Sequence, residues 1–357
     1  MTQNAGGGGR VTLKDVAREA GVHPGTASRA LNVETRTLVN EGTARRVLET
    51  AERLGYRPNP IARGLKTSRS YTVGVLIPDL LNPLFPPIVR GIQDTLEEAA
   101  YTPLIANTDN DPDRERADVE AMRARHVDGL ITATARRDHG LPVGLEDVPL
   151  PVVLVNRRLE DGTRPSVVAD DRKGIRLAVE HLLALGHRRI AHLAGPQQLS
   201  TGYLRQQGFL EAMRDGGVEP DPELVLAGDA FVESEGERLC AQLLDGGPEF
   251  TAIVAANDLM ALGCYDVFAE RGIECPGEIS VVGFNDMPFA ARFSPPLSTI
   301  RLPHYAIGAK AGELLLELLA DPATEPVQLM LEPELVVRES TGPPRLVPAA
   351  GAPADAG

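Results

Sequence analysis

Arg29, in the stretch PGTASRALN, carries the side chain best suited to reading a base sequence. Its planar guanidinium fork matches the O6 and N7 acceptors of guanine, or a phosphate. Around it Thr12, His23, Ser28, Asn32, Asn40 and Thr43 offer short polar groups that can reach phosphate oxygens. A second set lies far down the chain: Arg205 in RQQGF, Asn257 and Asp258 in AAND, and Asn285 and Asp286 in GFND. Guanidinium, amide and carboxylate groups make paired hydrogen bonds to hydroxyls, and Phe85, Tyr203 or Phe231 could supply a flat apolar wall for a sugar-like molecule. Asp258 reads at least as well as a helix cap. This is binding chemistry. No GxSxG elbow, phosphate-cradling glycine loop or paired acid and base is present, so an enzyme is not expected.

The elements that must position these groups differ between the two sets. In TLKDVAREAG, Thr12 and Asp15 form a capping-box pair, Leu13, Val16, Ala17 and Ala20 make one apolar stripe, and Gly21 stops the helix. Pro24 opens a second helix with Ala27, Ala30 and Leu31 inward, and Thr43 to Leu54 reads as a third. Two helices joined by so short a turn are a helix-turn-helix. The segment RPNPIARGLKTSRS is a linker by composition. From Tyr71 onward apolar β-branched runs (TVGVLIP, PLIANT, VDGLITA, VVLVN, IAHLAGP, ELVLAG, AIVAAND, ISVVGFND) alternate with helical patterns such as Ile88 to Ala100 and Gly174 to Leu185. That alternation predicts an α/β body with parallel sheets, in two similar sets of four strands.

Charge divides at the same boundary. Met1 to Ser70 holds 12 Lys+Arg against 6 Asp+Glu, or +6, so the remainder of a chain with 36 and 50 carries 24 against 44, or −20. A basic head suits phosphate, and an acidic body does not adhere to DNA. No run approaches a membrane span, and MTQNAGGGGR lacks the apolar core of a signal peptide, so a cytoplasmic protein is expected. Cys240, Cys264 and Cys275 are odd in number and have no metal-like spacing. His181, His187 and His192 fall on a helix, a turn and a strand, so structural roles are expected and no metal or cofactor is implied.

VTLKDVAREAGVHPGTASRALN, continued by VNEGTARRVLETAERLGYRPNPIARGL, closely resembles the headpiece of the lactose-repressor/galactose-repressor (LacI/GalR) family. The resemblance runs on through NPLF, DGLI, VADDRKGIRLAVEHLLALGHRRIAHLAGP, AANDLMALG, ISVVGFND and PPLSTI, to about Thr341. It implies a small all-α helix-turn-helix headpiece on a two-lobed body like that of periplasmic binding proteins, with the chain crossing between lobes near Val168, Ser298 and Val327. The expected division is a tail 1–10, headpiece 11–57, hinge linker 58–71, first lobe 72–168 with 299–327, second lobe 169–298 with 328–342, and a disordered tail 343–357. Implied partners are a pseudo-palindromic double-stranded operator, a second copy of the chain, and a small effector between the lobes.

By the same resemblance Arg205 and Asn257 match effector-binding positions, and Asn82, Phe85, Asn156 and Asp170 would face them from the first lobe and the crossing strands. Ala62 and Leu65 match hinge positions at which a leucine enters the minor groove. Leu13, Thr26, Tyr56, Asn59 and Arg63 complete the candidate DNA contacts. Some positions depart from the family. Pro24 and Gly25 stand where many members have a polar pair, which shifts base reading toward Arg29, Thr26, His23 and DNA shape. The turn before the third helix is longer, and Ala230 replaces an aromatic residue. An enzyme and a periplasmic sugar-binding protein are the competing functions, and the basic headpiece counts against both.

Overall fold

The computed structural model describes residues 11–32, 35–56, 69–137, 145 and 150–345. They form two compact units that divide at Ser70 and Tyr71. In the first, α1 (Leu13–Glu19), α2 (Pro24–Leu31) and α3 (Glu41–Arg53) enclose Val16, Ala17, Ala27, Ala30, Val47 and Ala51. Thr12 caps α1 through its capping box with Asp15, His23 caps α2, and Asn40 caps α3. The third helix begins two residues before Thr43 because the Asn40 carboxamide accepts the Gly42 N–H at 3.0 Å.

The second unit holds two six-stranded sheets. One contains β1 (Thr72–Ile77), β2 (Thr102–Asn107), β3 (Gly129–Thr132), β4 (Val152–Val155), β5 (Ser166–Ala169) and β11 (Gln328–Leu331), in the order β11-β5-β4-β3-β1-β2 and all parallel. The other contains β6 (Ile190–Ala194), β7 (Val225–Ala227), β8 (Ala252–Ala255), β9 (Ser280–Asn285), β10 (Ser298–Arg301) and β12 (Glu334–Val336), ordered β12-β10-β9-β8-β6-β7, with β12 antiparallel to β10. The strands read as apolar runs because helices cover the sheets: β3, β4, β6, β8 and β9 are buried at every residue.

Two helix pairs approach at glycine. In the first lobe α4 (Phe85–Glu98) packs against α10 (His304–Ala320), where a Cβ on Gly91 or Gly308 would collide with the Tyr305 or Ile88 carbonyl. In the second lobe α8 (Glu233–Gly246) meets α9 (Asp258–Arg271) at Gly236 and Gly263. The remaining helices are α5 (Pro112–Ala124), α6 (Asp171–Ala184) and α7 (Ser200–Asp215).

The chain passes between lobes from β5 to α6, from β10 to α10, and from β11 to β12. The second and third crossings fall a few residues later than the expected Ser298 and Val327. The reason is pairing: Ser298–Arg301 lies beside β9 in the second sheet, and Gln328–Leu331 lies beside β5 in the first. Of the tail from 343, Pro343 to Arg345 is described, and Arg345 pairs with Glu278 at 3.1 Å.

Candidate functional site

On the headpiece, α2 presents its charged residue outward. Ala27 and Ala30 are buried, while Arg29 between them is exposed and makes no ion pair among the described residues. His23 and Pro24 are exposed, and Gly25, Thr26 and Ser28 half-buried. The His23 Nδ1 accepts the Gly25 N–H at 3.1 Å, which puts the ring proton on Nε2, free to donate outward. Thr12 is exposed with its hydroxyl on Asp15 at 2.6 Å, Leu13 opens α1, Asn40 and Thr43 lie at the start of α3, and Asn32 and Tyr56 are half-buried. Asn59, Ala62, Arg63 and Leu65 lie outside the described residues.

In the second unit a cavity of about 410 Å³ opens between the two sheets. Its lining comes from the ends of strands. Asp79 follows β1, Thr108 follows β2, Thr134 follows β3, and Asn156 and Arg157 follow β4; across from them stand Asn257 after β8 and Asn285 at the end of β9. In both sheets the first strand sits between the second and the third, so this is the carboxyl edge at the switch point of an open α/β sheet, where ligands bind. Asn156 and Asn285 have φ of 64° and 111°. Non-glycine residues in that region store strain, which fits a binding wall.

Arg205, 2% exposed, is held from three directions. Its Nε donates to Asp171 at 2.7 Å, its Nη1 to the Ala256 carbonyl at 2.7 Å, and its guanidinium lies 3.9 Å from the Phe284 ring centroid. Nη2 makes no hydrogen bond among the described residues. Burial raises the Asp171 carboxyl above its ordinary range, and the Arg205 charge opposes that rise. Asn257 lines the cavity while capping α9, its oxygen on the Met260 N–H at 2.9 Å and its amide on the Phe231 carbonyl at 3.2 Å. Asp258 does not line the cavity. Its carboxylate accepts from the Thr299 hydroxyl at 2.6 Å and the Met287 N–H at 2.7 Å, and burial pushes it up to about 7.

The cavity therefore brings together Asn82, Phe85, Asn156, Arg205, Asn257 and Asn285 of the expected ligand set. Two residues lie elsewhere. Asp170 caps α6, accepting the Lys173 N–H at 3.0 Å. Tyr203 is on the wrong side of α7: Thr201 and Arg205, four apart, share the cavity face, whereas Ser200, Tyr203 and Leu204 turn toward a second hollow. Phe85 and Phe231 are the aromatic rings of the wall.

Sequence reasoning missed Thr108, Glu115, Thr134, Arg136, Arg157 and Thr201. Several follow a strand directly, and that position was the available signal. Arg157 is buried with its Nε unbonded, and desolvation lowers its guanidinium to about 10 against the opposing charge of Glu115. Glu115, bonded by the Thr134 hydroxyl, is pushed up by burial. Four buried polar atoms without partners, Thr108 Oγ1, Arg157 Nε, Thr201 Oγ1 and Asn285 Oδ1, belong to residues of this one wall. The histidines serve structure. His192 stacks on Phe209 at 4.7 Å with its Nδ1 on the Val254 carbonyl, His187 joins Thr251 to Gly342, and His181 meets Thr341.

Residues 12–59 match the model of bacterial regulatory proteins of the lacI family, and residues 179–341 a periplasmic binding protein-like domain. The HTH-type transcriptional regulator RegA of Clostridium saccharobutylicum is 36% identical over 332 residues, covering 92% of this chain and 99% of the relative. Among solved structures, a lac repressor dimer bound to operator and the anti-inducer ONPF aligns with a TM-score of 0.81 at 28% identity, over 94% of this chain and all of the other. A complex of the transcriptional regulator CelR with cellobiose aligns with a TM-score of 0.70 at 33% identity, over 93% and 100%. A relative 36% identical over 92% of this chain and 99% of its own length, together with the lacI-family match over residues 12–59, makes this chain a member of the LacI family of DNA-binding transcription regulators.

Proposed function

We propose that the chain acts as a homodimeric repressor, binding a pseudo-palindromic operator with an affinity set by a polyhydroxylated metabolite in the cavity between the sheets. The observation that carries the effector half is the set of four unpartnered buried polar atoms on that wall. Burying such a group without a hydrogen bond costs roughly 1–3 kcal/mol. A ligand rich in hydroxyls, which both donate and accept, satisfies donors such as Arg157 and acceptors such as Asn285 together. Phe85 and Phe231 offer apolar faces to its ring, and the CelR complex holds a sugar of this kind. Arg29, His23 and Thr26 face the operator, and two-fold symmetry of the protein is mirrored in paired half-sites. A cytoplasmic setting follows from that partner; among the described residues no helix is long and apolar enough to cross a membrane.

Mobility-shift titration on genomic fragments, with and without a panel of mono- and disaccharides, tests the reading. A symmetric footprint whose affinity changes with one sugar is expected. An asymmetric single half-site, or salt-independent binding, would refute the DNA half. Sugar binding undiminished after Asn285→Ala and Thr201→Ala together would refute the placement of the effector.

A further inference from the structure

A second cavity, of about 440 Å³, lies beside the lobe crossings and plays no part in the effector reading. Neighbouring residues divide between the two hollows. Arg136, Arg157 and Thr201 line the first, whereas Arg137, Arg158 and Ser200 line the second. Contacts across the lobes form the partition: the Arg137 N–H donates to the Gln198 carbonyl at 2.9 Å, and the Arg158 N–H to the Ser200 hydroxyl at 3.0 Å.

The rim is rich in guanidinium. Arg137 pairs with Glu160 at 2.9 Å and stands 4.3 Å over the Tyr203 ring, and Arg172 pairs with Glu211. Asp161, the other carboxylate on the rim, is occupied by the Thr163 N–H at 3.0 Å and hydroxyl at 2.9 Å. Arg158 differs from its neighbours: among the described residues no ion pair or side-chain hydrogen bond engages its guanidinium. Glu160 and Glu211 match Arg137 and Arg172, and the Thr163 groups occupy Asp161, so Arg158 is the rim cation left without an ion pair among the described residues. The Arg158 charge also reaches the buried Asp171, where it favours the ionised carboxylate.

We propose that this cavity is a second small-molecule site, which takes a phosphate-bearing metabolite with Arg158 as its anchor. A planar guanidinium fork matches phosphate oxygens in paired, charge-assisted hydrogen bonds. The volume lies within the range of small-ligand pockets and exceeds what a lone phosphate fills. Arg137, Arg158 and Gln328 come from the first lobe and Arg172, Ser200 and Tyr203 from the second, so an occupant favours the lobe arrangement in which this partition is made. The site stands or falls independently of the effector cavity.

Isothermal titration of the full-length protein with inorganic pyrophosphate, at constant ionic strength, tests it. Saturable binding at one site per chain is expected. Arg158→Gln should weaken it roughly tenfold or more while lowering the thermal midpoint only slightly, since the side chain gives up no hydrogen bond or ion pair and only its longer-range support of Asp171. Arg158→Lys, which keeps the charge without the fork, should fall between. Absence of saturable binding overturns the proposal. So does an Arg158→Gln protein that binds like the wild type, because the anion then sits elsewhere, the headpiece included. Loss of binding in Arg136→Gln but not Arg158→Gln would assign the anion to the first cavity and overturn it equally.

Discussion

Removing the Asp171 carboxylate isolates the most demanding interaction of the second unit. Asp171 and Arg205 have side chains only 4% and 3% exposed, joined at 2.7 Å, so solvent screens the pair very little. Asp171→Ala leaves a buried guanidinium supported by one carbonyl and the faces of Phe284 and, more distantly, Phe231. Breaking a buried pair by deleting one partner costs about 3–5 kcal/mol, because the survivor stays desolvated. For a unit of this size that is a fall of roughly 6–20 °C in midpoint, at about 2–4 °C per kcal/mol. Urea denaturation at constant slope reads the same loss as a lowered midpoint. Adding Arg205→Met to Asp171→Ala should restore much of the stability, since two apolar side chains carry no stranded charge. A loss under about 1 kcal/mol in Asp171→Ala, or a double variant no more stable than the single one, would refute this account of the pair. Arg205→Ala is constrained in the same way. The ion pair makes Arg205 part of the fold as well as of the cavity wall.

Three further outcomes are expected. Arg29→Ala should weaken binding to the preferred operator by about 1–3 kcal/mol and relax specificity there, read by competition between operator and random DNA; equal losses on both would make Arg29 a phosphate contact only. Gly308→Ala drives a methyl group into the Ile88 carbonyl and should destabilise the first lobe by about 1–3 kcal/mol or more, measured as a denaturation midpoint; a neutral result would mean that α4 and α10 separate easily. Asp258 keeps its proton in the fold up to about pH 7 but loses it near 3.8 when unfolded, so stability should fall as pH rises between those values, by about 4 kcal/mol in total, and level off above. Comparing wild type with Asp258→Asn across that window isolates the contribution, and identical slopes would rule it out.

The headpiece was legible because its signals are local. Thr12 with Asp15, Pro24 after His23 and Asn40 before α3 each mark a boundary within a few residues. The strands SVVA, STIR, QLML and ELV were not read, since three or four residues carry too little periodicity and each is a strand only because a neighbour pairs with it. That gap displaced the second and third crossings. Arg205, Asn257 and Asn285 stood out by motif, but Arg157 did not, because a buried guanidinium with an unbonded Nε shows only once the cavity is built. Tyr203 was misplaced by half a turn of α7, which composition cannot resolve.

The wall of the cavity is tied to the crossings by adjacent residues. Asn257 precedes Asp258, which holds Thr299 on β10 just before the second crossing. Asn285 precedes Asp286, whose carboxylate takes Arg301 at 2.8 Å and Arg338 at 2.6 Å, one on each side of the α10 excursion through the first lobe. Arg205 holds Asp171 at the first crossing, and Lys173 pairs with Glu332 at the third. An occupant that reseats Asn257 or Asn285 therefore disturbs a neighbouring anchor at a crossing, the hydrogen-bonded Asp258 or the ion-paired Asp286. A ligand shifts the balance of lobe arrangements only by its difference in affinity for them. With Arg205 and Asp258 buried, a displacement too small to break the fold is still enough to alter buried electrostatics. A coupling of about 1–3 kcal/mol, ample for regulating a DNA affinity, needs no more than one of these anchors to be made in one arrangement and strained in the other.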